Sequence, residues 1–300
     1  MYDVLILGSG PAGLTAALYA ARGGKSTLVL GGTTLGGQMA GIATLENYPG
    51  FRGSGMQLAE FMADQAKSFG AEIKFVSAAG IAGDCESGFA IGCDDGQTYT
   101  GRTVIIATGA SPRRLDIAGA REFMGRGVSY CATCDGFFYS GRNVMVLGGG
   151  NSALNDALYL ADLANKVTIV YRKSEFFRAE NVLRERVAAR ENIECLFNTD
   201  LERISSMPDG ENGELIATTT DGRDIVVDGI FVAIGHEANT DYLTEDVSRD
   251  EMGRLMPEKM PDGVFVAGDV HSGVKMQIAT AVGTGCTAAM DAIAYLNAKK

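Results

Sequence analysis

Three hundred residues with 46% hydrophobic side chains are enough for two domains of ordinary size, each with its own core. A net charge of −11 argues against a nucleic-acid partner, because phosphate binding needs a basic surface. No apolar run reaches the roughly 18 residues of a membrane span. The start, Met1-Tyr2-Asp3 followed by Val4-Leu5-Ile6-Leu7, has no basic stretch ahead of it, so a cytoplasmic location is expected rather than a membrane or secretory one.

Tyr2–Leu7 reads as a strand from its aliphatic and β-branched run. Gly8-Ser9-Gly10-Pro11-Ala12-Gly13 follows, then an alanine-rich helix from about Gly13 to Ala21, then a strand at Thr27–Leu30. A glycine loop between strand end and helix start is the βαβ fingerprint of a dinucleotide site. Gly8 allows the tight turn, Gly10 lets a pyrophosphate approach, and Gly13 lets helix and strand pack closely. The helix N-terminus adds amides and a partial positive charge. The acid expected at the end of the second strand is missing, since Gly31-Gly32 stands there, and ribose recognition must come from elsewhere. On its own such a loop could also be a glycine turn without a ligand.

Val104–Ala107 is a further apolar strand, ending at Thr108-Gly109. Next comes Cys131-Ala132-Thr133-Cys134-Asp135. It is the one CxxC pair among six cysteines, and in a cytosolic chain beside βαβ patterns it reads as redox-active rather than structural. The bland alternative is zinc. It normally takes four ligands, and the two histidines, His236 and His271, lack the spacing to complete a set, so no metal is expected. In the redox reading one thiolate opens a disulfide through a mixed intermediate and its neighbour resolves it. The spacing brings both sulfurs within bonding reach on one helical turn. Asp135 can carry a proton to or from a departing thiolate; its plainer role would be a helix cap. Cys85, Cys93, Cys195 and Cys286 read as packing thiols.

The βαβ pattern returns with the strand Val144–Leu147, the loop Gly148-Gly149-Gly150-Asn151-Ser152-Ala153, a helix over Asn151–Ala164 and a strand at Val167–Val170. Ala153 in the last position is allowed by the dinucleotide rule. The second strand runs into Tyr171-Arg172-Lys173, with Arg178 beyond. No carboxylate occupies the place that would bond a ribose 2′-hydroxyl. Cations there suit a 2′-phosphate, which favours NADP over NAD; a solvated cationic strand end is the alternative.

Ile230–Ile234 leads into Gly235-His236, Val264–Ala267 ends at Gly268-Asp269, and a helix from about Gln277 to Leu296 closes the chain. That last strand and helix lie beyond the second nucleotide unit and are expected to complete the first domain. The predicted fold class is therefore α/β, with two Rossmann-like dinucleotide-binding domains, the second inserted into the first. Residues 1–111 and 245–300 would form the first domain and 118–240 the second, with links near Ser111–Gly119 and Thr240–Thr244. Two nucleotide sites flanking a dithiol suggest an electron path from nicotinamide to flavin to disulfide.

From Leu7-Gly8-Ser9-Gly10-Pro11-Ala12-Gly13 to Gly283-Thr284-Gly285-Cys286 the sequence resembles the low-molecular-mass thioredoxin reductases of bacteria. Gly36-Gly37-Gln38, Glu46-Asn47-Tyr48-Pro49-Gly50, Ala107-Thr108-Gly109-Ala110 and Gly263-Val264-Phe265-Val266-Ala267-Gly268-Asp269 match that family's flavin segments. Gln277-Ile278 falls in another. The strongest match is Arg126-Gly127-Val128-Ser129-Tyr130-Cys131-Ala132-Thr133-Cys134-Asp135-Gly136-Phe137-Phe138.

The resemblance implies FAD in the first domain and NADPH, with NADH possible, in the second. Gly148, Gly150, Asn151, Ser152, Ala153, Arg172, Lys173, Arg178 and Gly235 are the candidates to hold the nicotinamide nucleotide. It also implies a homodimer, a rotation between the domains, and thioredoxin as partner. By position Cys134 would be the thiol next to the flavin, Cys131 the thiol that attacks thioredoxin, Asp135 the acid–base group, and Phe137 with Phe138 the docking patch.

Three departures stand out: the family's His-Arg-Arg run reads Tyr171-Arg172-Lys173, Arg178 lies one residue further on than usual, and Arg-Gln-Ala reads Met276-Gln277-Ile278. The first two bear on the choice of nicotinamide nucleotide. The rivals are a related flavin dithiol enzyme with another electron donor or acceptor, and a redox sensor without catalysis. The intact second fingerprint speaks against loss of the nicotinamide, and the two full nucleotide sites speak against a sensor.

Overall fold

The computed structural model describes residues 1–42, 44–45, 47–207, 213–245 and 247–299; Glu46, part of one matched flavin segment, lies outside them. The chain divides into two units, Met1–Ser111 with Glu237–Lys300, and Pro112–His236.

In the first unit the strand Tyr2–Leu7 is sandwiched in parallel between Thr27–Leu30 and Thr98–Ile106, with Val4 opposite both Thr27 and Thr103. Glu72–Lys74 extends the parallel sheet beyond Thr27–Leu30, and Val264–Val266 joins it alongside Thr98–Ile106. The hairpin strands Ala78–Asp84 and Gly88–Cys93 continue it antiparallel. The central part of a parallel strand is covered on both faces, so Val4–Leu7 is an unbroken apolar run whose residues alternate between two cores. Val4 and Ile6 face a core built with the helices Pro11–Arg22 and Ile278–Ala298. Leu5 and Leu7 face the opposite one. The two helices are rich in alanine and glycine because they cross at backbone contact. A Cβ on Gly285 would lie 2.2 Å from the carbonyl oxygen of Ala12. The last strand and helix thus belong to the first unit.

In the second unit the strands run Ile193–Phe197, Lys166–Tyr171, Asn143–Leu147, Gly229–Val232, Val128–Ser129, each pair parallel. An antiparallel sheet of Leu201–Ser206, Leu215–Thr219 and Asp224–Val227 lies beside it in sequence. Val144 and Val146 turn to a core with the helix Asn151–Ala161, and Met145 and Leu147 to a core with the antiparallel strands. That helix stops short of the expected Ala164 because its last turn tightens, Asp162 N donating to Tyr159 O at 3.3 Å and Leu163 N to Leu160 O at 3.0 Å.

The chain leaves the first unit after Ser111 and returns at Glu237. The reason is Asn239. Its backbone N donates to Gly109 O (3.0 Å) and its Nδ2 to Thr108 O (2.9 Å). Ser111 Oγ donates to its Oδ1 (2.7 Å), and Thr108 Oγ1 to its backbone oxygen (2.8 Å). Residues 240–245 and 247 are therefore already part of the first unit.

They are held by Arg249, whose guanidinium donates to the carbonyls of Thr240, Leu243, Thr244 and Val247 at 3.0–3.4 Å. Arg249→Met should lower stability by about 3 kcal/mol, since several carbonyls lose a charged donor at once. The measure is the urea midpoint at unchanged slope; an unmoved midpoint would mean the loop holds without the arginine. Among the described residues no helix is long and apolar enough to cross a membrane.

Candidate active site

Cys131 and Cys134 are joined as a disulfide, with their Cα atoms 5.3 Å apart. Cys131 is the N-cap of the short helix Ala132–Asp135, and its Sγ accepts from Cys134 N at 3.2 Å. Ala132, between the sulfurs, is 2% exposed and belongs to the core under the helix Asn151–Ala161. One buried residue thus anchors the turn while Cys134 stays exposed and Cys131 half-buried.

Ser129 is the residue that sequence reading overlooked. It is 6% exposed. Its Oγ accepts from Cys131 N at 3.0 Å and donates to Asp135 Oδ2 at 2.6 Å. One hydroxyl therefore connects the backbone of the first cysteine to the carboxylate that follows the second. Serine was inconspicuous in the sequence because the link exists only once the strand Val128–Ser129 and the helical turn are folded against each other. Phe137 and Phe138, just beyond, are 74% and 73% exposed. That is unusual for two adjacent large apolar rings, and it suits a docking surface.

The predicted flavin residues come together within the first unit. Gly8 has φ +108°, and a Cβ there would lie 2.3 Å from Ala107 O. A Cβ on Gly13 would lie 1.9 Å from Gly8 O. These positions admit only glycine, and Ala107-Thr108-Gly109 forms the opposing wall. Ser9 Oγ donates to Gly31 O (2.7 Å), and Gly36 N donates to Ser9 O (2.9 Å), which brings the Gly36-Gly37-Gln38 loop over Gly10. Gln38 Nε2 donates to Ala110 O at 2.6 Å, and Asn47 Nδ2 to Gln277 Oε1 at 3.1 Å, beside Ile278 at the head of the closing helix. Gly268 N donates to Thr284 Oγ1 at 2.9 Å, and burial pushes the neighbouring Asp269 carboxyl above its ordinary value.

The second loop is built alike. Gly148 has φ +143°, and a Cβ there would lie 2.2 Å from Ala233 O and 3.1 Å from the Cβ of Ala153. Asn151 does not face the loop freely: its Nδ2 donates to Glu180 Oε1 (2.7 Å) and its Oδ1 accepts from Glu180 N (2.8 Å). Ser152, Arg172, Lys173 and Arg178 are exposed. Gly235 accepts from Arg113 N at 2.7 Å where the second unit ends. Glu175, inside the cationic segment, pairs with Arg184 at 3.4 Å.

Both loops can take a dinucleotide. The helices Pro11–Arg22 and Asn151–Ala161 start from glycine N-caps, with no side-chain cap bond and no acid in the first turn. The helix Gly55–Ser68 shows the contrast: a capping box of Ser54 and Gln57 satisfies its first turn. Uncapped first-turn amides at the end of a helix dipole are left for an anion. The glycines keep the approach open, so the residues present fit the phosphates of FAD and of a nicotinamide nucleotide. Among the described residues no group of three or more His, Cys, Asp or Glu is placed to hold a metal ion.

Two glycine loops that fit dinucleotides and a disulfide across a CxxC turn define a flavoprotein-type disulfide reductase. The family model for pyridine nucleotide-disulphide oxidoreductases matches residues 2–285, and the chain belongs to that family. Within it the chain is similar to thioredoxin reductases over its whole length. That of Mycolicibacterium smegmatis is 39% identical over 307 residues, covering 99% of this chain and 97% of that protein. The bifunctional thioredoxin reductase/thioredoxin of Mycobacterium leprae is 40% identical over 307 residues, covering 99% of this chain and 66% of that protein. The crystal structure of Lactococcus lactis thioredoxin reductase superposes with a TM-score of 0.90 at 34% identity, covering 99% of this chain and 100% of that one.

Proposed function

We propose that this chain is an FAD-containing thioredoxin reductase that takes electrons from NADPH and passes them through Cys131 and Cys134 to the disulfide of thioredoxin. The observation that carries the reading is the Cys131–Cys134 disulfide, tied through Ser129 to Asp135, in a chain with two uncapped glycine-loop helices. Met1–Ser111 with Glu237–Lys300 would hold FAD, and Pro112–His236 the NADPH. FAD, when bound, supplies a carrier that accepts a hydride and delivers two electrons.

The chain's own residues do the rest. Gly8–Gly13, Gly37, Gln38, Ala107–Gly109 and Gly268–Asp269 hold and orient the cofactor. Two electrons and two protons open the Cys131–Cys134 bond to a dithiol. The Cys131 thiolate attacks one sulfur of the thioredoxin disulfide, forming a mixed disulfide and releasing one thioredoxin thiolate. Cys134 then attacks the Cys131 sulfur, which re-forms the Cys131–Cys134 disulfide and releases the second. Asp135 takes and returns a proton in these steps, held in place by the Ser129 hydroxyl. Phe137 and Phe138 are the docking patch for thioredoxin. A cytoplasmic homodimer accompanies this reading.

The protein should purify yellow with one FAD per chain, and NADPH should bleach it without air. Added thioredoxin should then restore the colour as its disulfide is reduced. A colourless protein that takes up no FAD on reconstitution would overturn the reading. Bleaching by another donor but not by NADPH would leave a flavin dithiol enzyme with a different electron source.

A further inference from the structure

Gly149 fills a position that the dinucleotide rule leaves open, since only Gly148, Gly150 and Ala153 hold required places in it. The structure supplies a reason for it. A Cβ on Gly149 would lie 2.5, 2.5 and 2.6 Å from Cδ1, Cγ and Cδ2 of Tyr171, so the phenol ring occupies the space of a side chain there. Tyr171 also stacks with Phe176, with centroids 5.9 Å apart and planes 25° apart, and the buried Phe176 meets Phe197 edge-on at 4.8 Å. The backbone is pinned as well: Thr199 N donates to Tyr171 O at 3.2 Å and Asn198 N to Lys173 O at 3.0 Å.

Tyr171 ends the strand Lys166–Tyr171, the place from which a Rossmann domain offers its ribose-reading acid. Here that side chain is committed to the glycine loop. The next two residues, Arg172 and Lys173, are exposed, and neither forms an ion pair among the described residues. Arg178 instead lies over the ring of Phe177, 5.6 Å from its centroid.

We propose that Tyr171 is a positioning residue for the nicotinamide nucleotide: packed between Gly149 and Phe176, its ring holds the Gly148–Gly150 loop in shape for NADP and NAD alike, and leaves the choice between 2′-phosphate and 2′-hydroxyl to Arg172 and Lys173. This rests on reading Pro112–His236 as the nicotinamide-nucleotide domain.

The test is calorimetric titration of the oxidised, flavin-loaded protein with NADP⁺ and with NAD⁺. The wild type should bind NADP⁺ about ten- to a hundredfold more tightly, the value of one or two charged hydrogen bonds. Arg172→Ala should remove most of that margin and leave NAD⁺ affinity unchanged. Tyr171→Ala should weaken both nucleotides by a similar factor, about tenfold for one lost aromatic contact, with their ratio kept. Tyr171→Phe should retain both affinities. Gly149→Ala must displace the ring, so it should reproduce Tyr171→Ala, and combining the two should add little because both act through one contact.

A change in the NADP⁺/NAD⁺ ratio of more than about threefold in Tyr171→Ala, or additive losses in the double variant, would overturn the proposal. So would unchanged affinities in both single variants. If Tyr171→Ala does not fold, Gly149→Ala against Tyr171→Phe carries the same comparison. Wild-type protein that binds neither nucleotide would refute the domain reading itself, a result distinguishable from the others.

Discussion

Cys134→Ser should abolish reduction of thioredoxin while FAD stays bound and is still reduced by NADPH. The cysteine is exposed and sits in a short helical turn anchored by the buried Ala132, so a serine, slightly smaller and with its more polar hydroxyl open to water, fits the same place. What disappears is the second sulfur. A lone Cys131 thiolate can still open the thioredoxin disulfide, but nothing then resolves the mixed disulfide, and the covalent complex should accumulate. Cys131→Ser should fail in the opposite way: Cys134 remains, no mixed disulfide with thioredoxin forms, and turnover again falls to background. Non-reducing gels distinguish the two variants, and anaerobic flavin spectra check that the first half of the reaction survives. Substantial turnover by either variant would refute a two-thiol mechanism.

Asp135→Asn should slow the thiol steps by about 10²–10⁴-fold, the usual contribution of a positioned acid–base group, and leave FAD content and reduction by NADPH intact. The geometry makes this a test of proton transfer rather than of folding. The Ser129 hydroxyl donates to Asp135 Oδ2 at 2.6 Å, and an asparagine oxygen can accept the same bond, so the side chain keeps its anchor and loses only its ability to carry a proton. Rapid mixing of the reduced protein with thioredoxin isolates the step. A wild-type rate would assign the carboxylate to holding the helical turn. Ser129→Ala should give a smaller loss of the same kind, because the carboxylate is present but no longer oriented.

The fingerprints were readable without a structure because their chemistry is local. Gly8, Gly13 and Gly148 are glycines on account of atoms a few bonds or one adjacent strand away, at Ala107, Gly8 and Ala233. For Gly13 the clash is with Gly8 in the same loop, so any strand–turn–helix with this spacing meets it; Gly8 and Gly148 sit at φ +108° and +143°, a turn that favours glycine by itself. The CxxC pair is local too, since three residues of helix bring its sulfurs together whatever surrounds them. Burial on both faces leaves the buried stretches of parallel strands, such as Val4–Leu7, as unbroken apolar runs, and that pattern survives in the sequence.

Other features depend on residues far apart in the chain. The bond from Ser129 to Asp135 needs a strand and a helical turn to meet. Asn239 sets where the returning chain joins the first unit by bonding Thr108, Gly109 and Ser111, more than a hundred positions earlier. Tyr171 explains Gly149 only because two parallel strands, Asn143–Leu147 and Lys166–Tyr171, end side by side. Composition and spacing therefore determined the two glycine loops and the pair of sulfurs, because those follow from short-range sterics and helix dipoles. Only the tertiary structure decided which carboxylate is oriented, where the units part, and which strand-end side chain packs on the glycine loop, because each depends on a hydrogen bond or a ring contact between segments that the sequence keeps apart.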